Sequence, residues 1–439
     1  MGSSDNIFRQ EFYQALVDRP LDPEEDARWY VPLYDARSSA PSDPIDELQA
    51  TIEWSKLEST QLFSGFGGTG KTTELKRLKR RLEANGAVVV HCDMLGYLNP
   101  STPVDVSDFL LATAGAFGEE LAKDTALLGE PVIKEGYWTR FRNFLARTHV
   151  EFGDIGGDLK LNLKADPSFR ERLQERLRGH LGALVKDVHG FFGECIVALR
   201  RHHRDDELRV VLLLDSMEKV VGTTTNAPDV ATSLETLFRS HADKLKLPYM
   251  HVVYSVPPWL KIKAPGIAQL YSGAQWIPCV KVEHRNGQAW NAGLNELERI
   301  VTKRGDWQRL LGGREALDEL LRASGGYLRD LFRLLQVVLR LSRHDPLPVS
   351  DRIRTLALDE LRNSYLPISN DDARWLERIR TTHNVELDGQ EKLHELARFY
   401  DLHLVLTYRN GDEWVSVHPL IAGQVKRQAA ALKVPGDGP

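Results

Sequence analysis

The sequence predicts an α/β protein: a parallel sheet with helices on both faces, then a helical segment, then a small module of helices closed by a hairpin. Three observations carry that prediction. Short aliphatic runs recur through the first two thirds of the 439 residues, separated by stretches with leucines at helical spacing. That alternation gives a parallel sheet covered on both sides. After about residue 283 the pattern turns helical. Near the C-terminal end, Asn410-Gly411 lies between two β-rich runs, a strong hairpin signal.

In order along the chain, residues 1–50 form a polar lead-in rich in Pro and Asp. It holds a short helix near 7–16 and one apolar cluster, Tyr30-Val31-Pro32-Leu33-Tyr34. A core domain follows over 51–285. Gln61-Leu62-Phe63 reads as a short buried strand. Behind a glycine-rich loop, Leu75, Leu78 and Leu82 repeat at helical spacing, and Gly86 ends that helix. Ala87-Val88-Val89-Val90-His91-Cys92 is β-branched and suited to burial on both faces, as central parallel strands are.

A long helical insertion occupies about 94–207. Within it 104–121 reads as a helix. Leu159, Leu161 and Leu163 alternate with polar residues and predict a short strand. Leucines and other apolar residues from Leu173 through Leu199 mark a long amphipathic helix or a kinked pair. Arg209-Val210-Val211-Leu212-Leu213-Leu214 is the third strand and Met250-His251-Val252-Val253-Tyr254-Ser255 the fourth. Gln275-Trp276-Ile277-Pro278-Cys279-Val280 is the fifth, with Pro278 favouring an edge. Helices fill 286–345, and His344-Asp345-Pro346-Leu347-Pro348 resembles a linker. Helices and then a hairpin across 346–435 suggest a winged helix.

Composition narrows the partners. A net charge of −5 and a pI near 6.3 do not point to nucleic acid or an acidic membrane as partner of the whole molecule. Cys92, Cys195 and Cys279 are odd in number and far apart, so buried free thiols are expected rather than a zinc site or disulfide framework. The first residues lack a basic-then-apolar signal pattern, and no run reaches the ~20 apolar residues of a membrane span. A cytoplasmic protein is expected.

The chemistry concentrates in Gly65-Phe66-Gly67-Gly68-Thr69-Gly70-Lys71-Thr72 and the following Thr73. Phosphates need convergent N–H donors and a compact cation. Four glycines let the backbone curl and present its amides. Lys71 can reach the β and γ phosphates, and the Thr72 hydroxyl can ligate Mg²⁺. The helix opening at the loop adds its N-terminal dipole. ATP or ADP with Mg²⁺ is therefore the expected ligand, and the sheet is expected to be that of a P-loop NTPase. Asp215 ends an aliphatic strand, where a carboxylate would hold Mg²⁺ through water.

Other candidates carry two readings each. Glu218 is either the base that polarises water or a solvated first-turn residue. Ser255 is a polar sensor or simply a polar strand end. Arg329, in Gly325-Gly326-Tyr327-Leu328-Arg329-Asp330-Leu331, either closes over the γ phosphate or is a surface arginine. The basic run Lys76-Arg77-Leu78-Lys79-Arg80-Arg81 is a nucleic-acid patch or a solvated helix face.

Together these pieces resemble the AAA+ and STAND ATPases, including the Orc/Cdc6-like branch, over roughly residues 50–430. The order is phosphate loop, Asp strand, sensor strand, helical lid and winged helix. Gly325 through Leu331 looks like the sensor-2 stretch of Orc/Cdc6-like lids. Asp215-Ser216-Met217-Glu218 is similar to the STAND pattern of two acids separated by a small and an aliphatic residue; Lys219 departs from it. Val417-His418-Pro419-Leu420-Ile421 sits where STAND switches carry a Met-His-Asp stretch, so the resemblance implies that His418 touches the β phosphate of ADP, although Pro419 replaces the Asp. It implies ATP hydrolysis, possible self-association, and a protein partner or effector, as in bacterial conflict or defence. In Orc-like proteins the winged helix binds DNA; in STAND proteins it is a lever. The mixed charge of Glu391-Lys392-Leu393-His394-Glu395-Leu396-Ala397-Arg398 favours the lever.

Overall fold

In this computed structural model, the structure describes residues 3–33, 43–123, 136–147, 159–386, 389, 392–410 and 412–432. The turn residue Gly411 and Tyr34 of the apolar cluster lie outside them. The chain forms two compact units. One comprises Ile45–Ser64 and Leu75–Trp276; the other comprises Met1–Pro44, Gly65–Glu74 and Ile277–Pro439.

The first unit holds the sheet. Its strands are β1 (Ser59–Gly65), β2 (Val88–Asp93), β3 (Val210–Asp215), β4 (His251–Val256) and β5 (Gly273–Ile277), in the order β2-β3-β4-β1-β5. The β1–β4, β2–β3 and β3–β4 pairings are parallel. Every residue of β3 and β4 is buried, which is why these strands read as unbroken apolar runs. β5 is an edge strand and stops at Ile277, before the proline that cannot donate to a ladder.

Helix α1 (Ser3–Ala15) belongs to the other unit; α2 (Pro44–Trp54) precedes β1, and α3 (Lys71–Ala84) follows the glycine-rich loop. The insertion is α-helical: α4 (Val106–Lys123), α5 (Tyr137–Arg147), α6 (Leu159–Ala165), α7 (Pro167–Leu177) and α8 (Leu181–His203). Glu119 on α4 ties three of its parts together. Its carboxylate accepts from Tyr97 Oη at 2.7 Å, Trp138 Nε1 at 2.9 Å and Lys160 Nζ at 2.6 Å.

The strand expected at Leu159, Leu161 and Leu163 is helix α6 instead. Three alternating leucines are too few to separate the two periods. Leu159 and Leu163, one helical turn apart, are buried, and Leu161 is exposed. Asp166 then caps α7 by accepting from Phe169 N at 3.1 Å, with Pro167 at the first helical position. Of the two forms open for 173–199, the pair α7 and α8 is observed, and α9 (Ala227–Glu235) follows β3.

The second unit contains α1, the loop and the C-terminal third. Helices α10 (Asn291–Thr302), α11 (Trp307–Leu311), α12 (Arg314–Ala323) and α13 (Leu328–Leu341) form the helical segment. The winged helix is built from α14 (Asp351–Asn363), α15 (Asn370–Thr382), α16 (Leu393–Asp401), the antiparallel pair β6 (Val405–Asn410) and β7 (Asp412–Val417), and α17 (Pro419–Ala431). The lead-in is fastened to the helical segment. Gln336 Nε2 donates to Leu16 O at 2.9 Å, Arg9 to Asp345 O at 2.6 Å, and the Phe12 ring leaves no room for a side chain at Gly305.

Candidate functional site

The loop from Gly65 to Lys71 joins β1 to α3. Gly68 adopts φ +89°, open to glycine but strained for other residues. Thr69 folds its hydroxyl onto Phe66 O at 2.8 Å. Lys71 is buried, and its Nζ donates to Gly65 O at 2.9 Å and Phe66 O at 3.0 Å. The cation is thus parked against the loop's own carbonyls. Thr72 and Thr73 begin α3, and Thr73 Oγ1 accepts from Leu21 N of the lead-in at 2.9 Å.

The same unit surrounds this loop with residues from three stretches of chain. Arg329, at the start of α13, lies on Gly68: a Cβ there would stand 2.7 Å from Arg329 Nε and 3.0 Å from Cζ. Arg329 Nε donates to Asp18 Oδ2 of the lead-in at 2.8 Å. Burial lowers the guanidinium's pKa, but Tyr327 and Asp18 outweigh it and leave the pKa raised. Tyr327 donates its hydroxyl to Gly67 O.

From the winged helix, Tyr400 stacks on Phe66 at 5.6 Å between ring centroids and His403 tilts against it at 5.5 Å. His403 also stacks on Tyr327 at 4.8 Å and 18°. Burial pushes the His403 imidazole down to about 3, against an opposing pull from Asp330. It is neutral at physiological pH.

His418 lies in the same unit and acts electrostatically on His403. It is fully buried at the start of α17, where its Nδ1 accepts from Leu420 N at 3.3 Å. Its Nε2 stands 3.2 Å from Asp330 Oδ2. Tyr365 donates to the same carboxylate oxygen, and its ring packs on His418 at 4.8 Å. Burial alone raises the Asp330 carboxyl, but His418, Tyr365 and Arg333 together hold it below the usual carboxylate range. Gly325 and Gly326 precede α13 with φ +60° and +70°. A side chain at Gly326 would meet Val280 O at 1.7 Å, and Tyr408 of the hairpin donates to Gly325 O at 2.7 Å.

The carboxylates belong to the sheet unit. Asp215 ends β3, buried, with Oδ1 accepting from Ser216 N at 2.7 Å and Oδ2 3.5 Å from His91 Nε2. Ser216 turns through a left-handed φ of 72°, uncommon for a non-glycine residue. That turn brings Glu218 to β4. Ser255 Oγ donates to Glu218 Oε2 at 3.1 Å and accepts from Met217 N at 3.1 Å. Sequence reasoning singled out Ser255 and Glu218 separately; the structure pairs them. Lys219 donates to Ser216 Oγ at 3.0 Å.

Oxygen donors such as the Thr72 hydroxyl and the Asp215 carboxylate suit a hard cation such as Mg²⁺. Among the described residues no cluster of three or more His, Cys, Asp or Glu is arranged to hold a metal ion alone. No helix among them is long and apolar enough to cross a membrane. The three cysteines are free and buried.

The basic run on α3 is largely engaged: Arg81 pairs with Asp46 at 2.6 Å, and Lys79 with Glu83 at 3.3 Å and with Val89 O at 3.2 Å. In the winged helix, Arg374, Arg380, Lys392 and Arg398 pair with Asp371, Glu377, Glu395 and Asp372 at 2.5–3.0 Å. Sequence reasoning missed Asp18, Tyr327, Asp330, Tyr400 and His403. Only Tyr327 and Asp330 had a signal, as neighbours of Arg329.

No protein-family model matches the sequence, and no curated protein does. Solved structures do. The chain is similar to the ORC2 protein of Aeropyrum pernix in its ADP form, with 14% identity, a TM-score of 0.40, and 94% of this chain and 99% of that chain covered. It is similar to the ORC1 protein of Aeropyrum pernix in complex with DNA, with 14% identity, a TM-score of 0.37, and 95% and 96% covered. It is also similar to a chain of the Drosophila ORC bound to AT-rich DNA and Cdc6, with 10% identity, a TM-score of 0.36, and 86% and 48% covered.

Proposed function

We propose that the chain is an ATP-binding AAA+-type ATPase in which nucleotide decides how the helical lid and the winged helix hold the phosphate loop. One observation carries this reading: Gly65–Thr73 is gripped by Arg329 and Tyr327 of the lid and by Tyr400 and His403 of the winged helix. A phosphate entering the loop competes for Lys71 and Arg329, and so for the grip itself. In the proposed site the amides of Gly65, Phe66, Gly67, Gly68, Thr69 and Gly70 cradle the phosphates, and Lys71 neutralises them. Thr72 and Asp215 would hold Mg²⁺ there. The bound cation would draw charge from the phosphates. Glu218, held by Ser255, orients water, and Arg329 meets the γ phosphate.

The proposed use is a switch. Domains of 51–285, 286–345 and 346–435 change their mutual hold with the nucleotide, with or without self-association. Control of a separate partner protein, and a place in bacterial conflict, are proposed on the family resemblance alone. The test is direct. The purified protein should carry ADP or bind an ATP analogue with Mg²⁺, Lys71→Ala should lose that binding, and sedimentation or protease sensitivity should differ between the two nucleotides. Rapid turnover with no nucleotide-dependent change in shape or assembly would remove the switch while leaving an ATPase.

A second reading keeps the ATPase and gives the winged helix to DNA, as in the DNA-bound ORC1 structure. The acid partners of its arginines weigh against a phosphate-facing stripe. A salt-dependent shift of duplex DNA in the presence of ATP would establish it.

A further inference from the structure

Among the described residues six cations are strongly buried: Arg9, Lys71, Arg77, Arg170, Lys263 and Arg304. Arg304 alone among them has a side chain with no hydrogen bond or ion pair to the described residues. It is 8% exposed, just past the end of α10. Its Cζ lies 5.5 Å from the Trp29 ring centroid and 5.3 Å from that of Phe332, so two aromatic rings fix the guanidinium. Its Nε is shielded from solvent without an acceptor. Asp26, the acid that acts on it, is no remedy, because Asp26 is engaged by Arg19 at 2.5 and 2.9 Å and by Asp22 N at 2.9 Å. Burial, with Arg19 adding to it, pulls the Arg304 pKa down to about 10.

Arg304 lines an open cleft with Thr302, Lys303, Trp307 and Gln308. Lys303 donates to Ala27 O at 3.1 Å and Tyr30 O at 2.7 Å, neither of which cancels its charge. Two acids also line the cleft: Glu298 takes Arg314 at 2.6 Å, and Asp306 caps Arg309 N at 2.9 Å, a contact that leaves its charge in place. Lys303 and Arg304 nonetheless have no acid partner among the described residues, and Arg304 is desolvated and ring-clamped. A guanidinium carries five donors in a fixed fork that matches an oxyanion. A fold gains nothing by shielding a guanidinium nitrogen without an acceptor.

We propose that this cleft is an oxyanion site in which Arg304 grips a phosphate or carboxylate group, with Lys303 adding charge. The site does not depend on the nucleotide reading above, since none of the phosphate-loop residues line it.

The experiment is thermal unfolding of the full chain carrying Lys71→Ala, which removes the phosphate loop's cation, in inorganic phosphate, acetate or chloride at matched ionic strength. Near tenfold saturation, phosphate or acetate should raise Tm saturably by about 2–4 °C over chloride. The better of the two anions identifies the group. Adding Arg304→Met should abolish the rise and leave Tm in chloride unchanged or higher. A rise that survives Arg304→Met marks an adventitious ion and overturns the site. A rise in wild type that Lys71→Ala removes assigns the anion to the phosphate loop and overturns it as well. So does no rise in any protein, or a large fall in Tm for Arg304→Met in chloride, which would mean that the guanidinium is structural.

Discussion

His403 offers a sharp test of how the winged helix holds the phosphate loop. It is buried between Tyr327 and Phe66, and burial holds its pKa near 3 against about 6.5 in an unfolded chain. The folded pKa is depressed, so the unfolded state binds the extra proton. Stability is therefore fully present above pH 6.5 and declines as pH falls toward 3. Between pH 7.5 and pH 5 the linkage relation gives a loss of about 2 kcal/mol from this residue. His251, lowered to about 4 by burial, adds a similar loss in the sheet unit, and Asp108, raised to about 7 by burial, acts there in the opposite direction, so the wild-type slope has several sources. His403→Phe should remove one of them. The backbone there has φ 57°, which a phenylalanine tolerates less well than histidine. That cost is independent of pH and cannot imitate the change in slope. The assay is denaturant unfolding at both pH values, followed by a probe of the second unit such as hydrogen exchange in α16 and α17. An unchanged pH slope in His403→Phe would refute the idea that this ring is a desolvated neutral partner of the loop.

Three further outcomes follow from the geometry. Asp330→Ala removes the acceptor of Tyr365 and the partner of buried His418; breaking a buried pair costs about 3–5 kcal/mol, and a double-mutant cycle with His418→Ala should recover part of it. Asp18→Asn releases Arg329 from a half-exposed pair, so ATP-analogue affinity measured by calorimetry should rise about two- to fivefold, the scale of a surface ion pair. Gly68→Ala places a methyl against Arg329 at φ +89°; nucleotide affinity should fall at least about tenfold, from left-handed strain of about 1–2 kcal/mol plus displacement of Arg329.

The sheet was legible because its strands are short, aliphatic and bounded by helices; β3 and β4 lie within one residue of their expected limits. The phosphate loop was legible because its chemistry is local: glycines, lysine and threonine are consecutive. What surrounds it is not local. Phe66, Tyr327, Tyr400 and His403 meet from three distant stretches, and no periodicity encodes that meeting. The sequence singled out His418, near a helix start, and gave no signal for His403, which packs on Phe66 of the loop. Asp18 sits in a polar lead-in where one acid looks like another. Leu161 shows the opposite failure, an alternation of three residues that a helix satisfies with one leucine in solvent.

Arg329 and Asp330 are consecutive residues at the head of one helix. One side chain reaches Asp18 and the loop glycines, the other reaches His418 and Tyr365. A rigid rod carrying two latches at one end cannot release them independently at low cost. Tilting it enough to free the arginine also shears the buried carboxylate from its imidazole. The latches are thus geared together, and a ligand that moves one pulls against the full strength of the other. By reciprocity, anything that strains the His418 latch from outside must alter the affinity for that ligand by the same factor.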